Sequence, residues 1–256
     1  MEDFYRDFSN IGDQIFKSLH SSDDEYRNKN VVGIGADGTA THAMDKVCED
    51  IIVRYVEEKD LPFNIMSEEL GFLDRKYEET ILTDPLDGTF NAENKIPFYS
   101  VSIATLTDNF NSLTRGYVKD LARGDVFYAE KGKGSSHNGQ KIKVSPVPIH
   151  GYTISLGKCS DEMRRKLIDL PGRHRSLGCA SLEMALVARG SVDMMAYVGK
   201  GSYIRNIDVA AGVVLVREAG GVVVDQSGSE FNMGLDVTVR TNIVAARNRE
   251  VLEEIL

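Results

Sequence analysis

The chain has 256 residues, 42% of them hydrophobic and 27% charged, and a formal net charge of −9. This is the composition of a soluble globular protein with a sizeable core, in one large domain or two small ones. The acidic balance argues against a nucleic-acid partner, which leaves a basic footprint, and no apolar run approaches the roughly 20 residues needed to cross a bilayer.

In chain order, Phe4, Phe8, Ile11, Ile15 and Leu19 recur at helical spacing and predict an amphipathic helix over 2–20. That start lacks the basic-then-apolar pattern of a signal peptide. Residues 21–30 read as a polar turn or loop, and 31–41, Gly-rich and short-sided, as a mobile loop. Met44, Val47, Cys48, Ile51, Ile52, Tyr55 and Val56 mark a second helix. Short buried strands are predicted at 63–66 and 80–83, each stopping at acidic residues, then strands at 99–106, 113–119 and 125–130. Gly132, Gly134 and Gly139 punctuate a turn region. Ser-Pro-Val-Pro-Ile-His at 145–150 suggests a boundary between an N-terminal portion, 1–147, and a C-terminal portion, 148–256, that together form one catalytic unit. Beyond it, strands at 152–156, 192–198, 221–225 and 242–246 alternate with helices at 160–169, 180–190, 207–219 and 247–256, which predicts a layered α/β fold. Cys48, Cys159 and Cys179 are dispersed and make no C-x-x-C pair, so neither a disulfide framework nor a zinc site is expected. A reducing cytoplasm is the expected compartment.

Three acidic clusters carry the chemistry. Glu68 and Glu69 follow the strand at 63–66, Asp84 and Asp87 follow 80–83, and Asp208 heads an apolar helix. All lie at strand ends or helix starts, where α/β folds place sites. Converging carboxylates repel one another unless a cation sits among them. Asp and Glu without nearby His or Cys suit Mg²⁺ better than Zn²⁺. Bound cations also answer the problem of an acidic protein handling an anionic substrate.

In Asp84-Pro85-Leu86-Asp87-Gly88-Thr89, Pro85 stiffens the turn and the Leu86 carbonyl adds an oxygen. Gly88 lets backbone N–H groups approach an anion, and the Thr89 hydroxyl is placed to orient a water. Phosphatases with an aspartyl nucleophile use Asp-x-Asp-Gly-Thr. Here two residues separate the aspartates, which fits metal bridging and a water nucleophile, and Asp37-Gly38-Thr39, preceded by Gly35-Ala36, fails the same pattern. Each candidate also has a plainer reading: Glu69 as a solvated surface acid, Asp208 as a helix N-terminal acid, Asp45 as a charge on a helix face and Arg205 as a salt-bridge residue.

Glu68-Glu69, then Asp84-Pro85-Leu86-Asp87-Gly88-Thr89-Phe90-Asn91, then Asp208-Val209-Ala210-Ala211-Gly212 with Glu218-Ala219-Gly220-Gly221, resemble in order and spacing the inositol monophosphatase family over nearly the whole chain. Gly35-Ala36-Asp37-Gly38-Thr39 and Ser67-Glu68-Glu69-Leu70-Gly71 are similar to its archaeal-type members, which act on inositol monophosphate and fructose 1,6-bisphosphate. The resemblance implies a layered αβαβα sandwich, a homodimer, and two or three Mg²⁺ ions, with Mn²⁺ as a substitute, that activate a water for attack on phosphorus. Carried over by position, Glu68, Asp84, Asp87 and Asp208 are metal ligands together with the Leu86 carbonyl. Glu69 holds a metal-bound water, Gly88 and Thr89 bind phosphate through backbone N–H groups, and Asp45 partners Thr89 in activating water. Arg205 is the first choice for a second phosphate, with Arg173, Arg175 and Lys200 as further cations, and N–H groups at Gly178, Cys179 and Ala180 are expected to meet sugar hydroxyls. Residues 199–202, where animal enzymes carry the Glu that contacts inositol, contain no acid, so the expected substrate is not restricted to inositol.

The expected activity is a Mg²⁺-dependent phosphomonoesterase of carbohydrate metabolism, as in gluconeogenesis, on a small-molecule phosphate ester. The alternatives are a 3′-phosphoadenosine phosphate or NADP phosphatase of the same fold, and a non-catalytic metal- or sugar-phosphate-binding protein. A base-binding aromatic platform would favour the nucleotide. A water activator such as Asp45 with Thr89 argues against mere binding.

Overall fold

A computed structural model describes residues 2–21, 31–155, 162–199 and 203–253. The first helix, α1, spans Glu2–Ser21 and buries Phe8, Ile11, Ile15 and Leu19 along one stripe, as their spacing predicts. It lies beside α2, Ala43–Glu58, whose buried face carries Met44, Cys48, Ile51, Ile52, Tyr55 and Val56. Between them, 31–42 forms a hairpin, β1 Val31–Ile34 with β2 Ala40–His42, where the sequence suggested a loop.

Eight strands make the larger sheet: β3 Asn64–Ser67, β4 Gly71–Leu73, β5 Thr80–Asp87, β6 Ser100–Leu106, β7 Arg115–Asp120, β8 Val126–Glu130, β9 Gly134–His137 and β10 Gln140–Ile142. Their order is β10-β9-β8-β7-β6-β5-β3-β4, antiparallel except where β3 runs parallel to β5. A short helix, α3 Thr89–Glu93, follows β5. The smaller sheet has five strands, β11 Gly151–Ile154, β12 Arg173–Arg175, β13 Met194–Tyr197, β14 Val222–Val224 and β15 Ile243–Ala246, in the order β12-β11-β13-β15-β14. Its helices are α4 Glu162–Asp169, α5 Ala180–Ala188, α6 Asn206–Glu218 and α7 Arg249–Glu253.

Alternation along the strands sorts these elements into layers. On the large sheet Ile81, Val101, Ile103 and Tyr117 face α1 and α2, while Leu82, Ala104, Leu106 and Val118 face α5 and α6. On the small sheet Met195, Val223 and Ala245 join that same middle layer. Met194, Ala196, Val224, Val244 and Ala246 face outward, onto Leu167 and Leu170 of the α4 region and Val251 and Leu252 of α7. The result is the αβαβα sandwich that the motifs implied. Helix α6 is buried from Asn206 to Val216 because a sheet covers it on both sides, which explains its unbroken apolar run. Gly116 of β7 lets it sit close: a Cβ there would meet the Ala211 carbonyl oxygen at 2.5 Å.

The differences from the sequence reading are local. Strand β5 continues to Asp87 rather than stopping at Thr83. The three-residue strands β4, β10 and β12 were too short to show a period. The helix read at 160–169 is described from Glu162, and that at 247–256 as Arg249–Glu253. Residues 156–161 and 254–256 lie outside the described residues, as does Lys200. Among the described residues no helix is long and apolar enough to cross a membrane.

Candidate active site

Asp84 and Asp87 are three residues apart, so a regular strand would point them to opposite faces. A bulge corrects this. Asp84 pairs with Ser102 but Asp87 with Ser100, so three steps on β5 oppose two on β6. Pro85, with no N–H for the ladder, sits inside the bulge. Gly88 then takes a left-handed φ of 90° and caps α3; a Cβ there would meet Cys179 Cβ and the Phe98 carbonyl oxygen at 3.2 Å. The first turn of α3 leaves backbone N–H groups at Gly88 and Thr89 without helix partners. The Thr89 hydroxyl stands 2.8 Å from Asp45 Oδ1 and 3.1 Å from the Leu86 carbonyl oxygen.

Asp45 and Asp208 are placed alike. Each is the third residue of its helix and accepts the N–H of the preceding cap residue: His42 to Asp45 Oδ2 at 3.2 Å, and Arg205 to Asp208 Oδ2 at 2.8 Å. Glu68 and Glu69 follow β3 under the 31–42 hairpin. Ala36 donates its N–H to the Glu69 carbonyl at 3.1 Å, and the Thr41 hydroxyl bonds the Glu69 carboxylate. Asp87 Oδ2 accepts from the Ser181 N–H at 2.7 Å, the Ser181 hydroxyl at 2.6 Å and the Cys179 thiol at 3.2 Å.

Arg205 lies among these carboxylates. Its Nη1 pairs with Glu68 and, at 2.9 Å, with Asp37 Oδ2; its Nη2 is 2.8 Å from Asp208 Oδ1 and 3.6 Å from Asp84 Oδ2. Arg240 adds a second guanidinium at 2.8 Å from Asp37, whose side chain is fully buried. One arginine does not neutralise the cluster. Burial, then repulsion from Glu68 and Asp87, pushes Asp84 well above the usual carboxylate range. Burial and the Asp208 charge raise Asp87 to about 6 against the bonds from Ser181. Burial lifts Glu68 against the pull of Arg205. Burial raises Asp45 to about 6 against the Thr89 bond, and Glu69 to about 7 against the Thr41 bond.

A divalent cation suits this donor set, because the donors are all hard oxygens and the cluster is short of positive charge. Among the described residues no group of three or more His, Cys, Asp or Glu is arranged to hold an ion as it stands, and the Arg205 guanidinium lies between the carboxylates instead.

Glu68, Asp87 and Asp208 form one wall of a cavity of about 510 Å³, with Arg205, Arg240, Tyr197 and Tyr203 on the others. Gly178 and Ala180 also line it, but the Gly178 N–H is given to Glu183 Oε1 at 2.9 Å. Cys179 is buried against Asp87. Arg173 and Arg175 lie on the edge strand β12, exposed and away from the cavity lining. Sequence reasoning missed three residues. Asp37 stood in the Gly35–Thr39 motif but was given no role there, and Arg240 sits in an irregular segment without a motif to flag it. Ser181 carried one faint signal, its place at the start of an apolar helix.

The profile of the inositol monophosphatase family matches residues 9–256. A fructose-1,6-bisphosphatase/inositol-1-monophosphatase from Methanothermobacter thermautotrophicus is 38% identical over 242 residues, covering 88% of this chain and 85% of that one. A bifunctional NADP phosphatase/NAD kinase from Methanococcus maripaludis is 34% identical over 266 residues, covering 93% of this chain but 46% of that one. A crystal structure of an inositol monophosphatase–fructose 1,6-bisphosphatase superposes with a TM-score of 0.88 at 33% identity, covering 98% of this chain and 97% of the other.

Proposed function

Because the chain belongs to the inositol monophosphatase family, we propose that it is a Mg²⁺-dependent phosphomonoesterase that hydrolyses sugar phosphates, fructose 1,6-bisphosphate and inositol 1-phosphate among them. The observation that carries this is the Thr89–Asp45 pair beside the carboxylate wall. A binding protein has no use for a buried carboxylate, raised to about 6, that stands 2.8 Å from a hydroxyl.

Glu68, Asp84, Asp87 and Asp208, with the Leu86 carbonyl, would hold the metal, and Glu69 a water beside it. When bound, Mg²⁺ supplies Lewis-acid charge to phosphoryl oxygens and lowers the pKa of water. The chain's own residues do the rest. Thr89 Oγ1 accepts a proton from the attacking water and passes its own to Asp45 Oδ1, whose raised pKa suits a general base near neutral pH. Backbone N–H groups at Gly88 and Thr89 receive the phosphate oxygens. Arg240 at the cavity wall is the cation we assign to a second phosphate, since it pairs there with Asp37 while Arg205 is held by four carboxylates.

Tyr197 and Tyr203 favour a second reading. They line the cavity and offer the aromatic surface that a nucleotide base would need, as in a 3′-phosphoadenosine phosphate or NADP phosphatase.

A phosphate-release assay over fructose 1,6-bisphosphate, inositol 1-phosphate, 3′-phosphoadenosine phosphate and NADP decides between them. The sugar phosphates should turn over fastest, only with Mg²⁺, and Arg240→Ala should raise KM for the bisphosphate more than for the monophosphate. Release that persists in chelator defeats the mechanism. Faster release from the nucleotides selects the second reading.

A further inference from the structure

We propose that Arg205 is the resident counter-ion of the carboxylate cluster and competes with the divalent cation for its oxygens. The inference rests on the ligand assignment above and concerns what that assignment requires of the arginine. Three of the four carboxylates that Arg205 pairs with, Glu68, Asp84 and Asp208, are the proposed metal ligands. Its Nε reaches Asp208 as well, at 3.0 Å from Oδ1 and 3.2 Å from Oδ2, so the guanidinium fork engages that carboxylate from two nitrogens. A cation held by the same oxygens would meet the positive charge of the guanidinium that already pairs with them. The two cannot both hold these contacts: they repel, and the lone pairs are shared out.

The fourth partner explains where the side chain goes. Asp37 is outside the proposed ligand set, and its carboxylate is fully buried between Arg205 at 2.9 Å and Arg240 at 2.8 Å. It sits at the tip of the β1–β2 hairpin, over the Glu68–Glu69 turn, with its N–H 3.4 Å from the Glu68 carbonyl. When a metal takes Glu68 and Asp84, Asp37 keeps the guanidinium paired at the cavity wall. Arg205 therefore serves two ends. Without a metal it holds together acids that would otherwise repel or protonate, and it sets a threshold that a cation must exceed. Arg205 is on this account a positioning residue for the metal, acting through the carboxylates.

The test is a calorimetric titration of Mg²⁺ into the full chain and its Arg205→Ala and Arg205→Lys variants, with thermal unfolding in chelator and in saturating Mg²⁺. Loss of the competitor should make Arg205→Ala bind Mg²⁺ about tenfold tighter, within the usual range of coupling between two ligands. Arg205→Lys, a point charge that cannot fork, should fall between. The midpoint should drop in chelator and recover in Mg²⁺. Unchanged or weaker binding in both variants, with equal midpoint losses in chelator and in Mg²⁺, overturns the proposal and leaves an ordinary structural ion pair. If Arg205→Ala does not fold, Arg205→Lys carries the comparison. A parent chain that binds no Mg²⁺ overturns the ligand assignment itself, which is a different result.

Discussion

Asp45 and Asp208 are each held by the N–H of the residue three positions earlier, so helix capping aims both carboxylates before any chemistry begins. Asp45 thus combines a structural duty with the proton-accepting role proposed for it, and the two can be separated. Asp45→Asn keeps one oxygen to cap α2 and sets an amide N–H, which donates to the Thr89 hydroxyl and cannot take a proton, where Oδ1 stood. Turnover should fall about 10²–10⁴-fold, the range ascribed to a positioned base, while the unfolding midpoint and Mg²⁺ affinity hold. A steady-state assay beside a melting curve checks this; near-normal turnover would remove Asp45 from the reaction. The plain reading of Asp208 as a helix-start acid was correct as local structure, whereas Asp45, read plainly as a charge on a helix face, is buried in the first turn of α2. Neither plain reading could be complete, because local structure cannot say what lies across from a side chain.

At the scale of elements, the site depends on how α6 is seated. That helix carries Asp208 at its start and crosses the large sheet where β5 delivers Asp84 and Asp87, so a shift of α6 separates the ligands. Gly116 sets the approach, with the Ala211 carbonyl oxygen 2.5 Å from where a Cβ would stand and Val214 Cβ at 3.0 Å. Backbone cannot rotate aside as a side chain can. Gly116→Ala should therefore cost about 1–3 kcal/mol, as overpacking does, and lower the unfolding midpoint by several degrees. An unchanged midpoint would show that α6 does not rest on β7 in this way. The bulge in β5 is the other element-scale device. Sequence reading ended the strand at Thr83 because acids and a proline followed an apolar run. In the fold those acids stay in the strand, buried, because their partners, Ser181 of α5 for Asp87 and Arg205 at the cap of α6 for Asp84, come from other segments.

For the molecule as a whole, the raised carboxylates make stability depend on pH and on metal together. Asp45 and Asp87 stand at about 6, and Glu69 and Glu183 at about 7, all mainly from burial, against ordinary values of 3.8 for Asp and 4.5 for Glu. Between those limits the native chain binds more protons than the unfolded one, so stability falls as pH rises. In chelator the midpoint should be highest near pH 4, fall through pH 7 and then level off with respect to these groups. Mg²⁺ should raise it more at pH 8 than at pH 5, because it binds the deprotonated oxygens. Melting curves across pH, with and without Mg²⁺, test both halves; a midpoint in chelator that rises from pH 5 to 7 would contradict the charge balance described for the site.

The amino-acid sequence determined the parts of this protein whose signal is local. The stripe of α1, the buried face of α2, the apolar run of α6 and the order of the three acidic motifs were all legible, because periodicity and spacing are properties of short segments. A layered α/β arrangement was legible in the alternation of strands and helices beyond residue 148, and the αβαβα sandwich came from the family resemblance that the motifs carry. Only the tertiary structure decided that Ser181 would hold Asp87, and that Asp37 and Arg240 would close one side of the cavity. It alone brought Arg205 among the acids. Those contacts join residues distant in the chain, such as Asp37 and Arg240. No single segment carries the signal for the other.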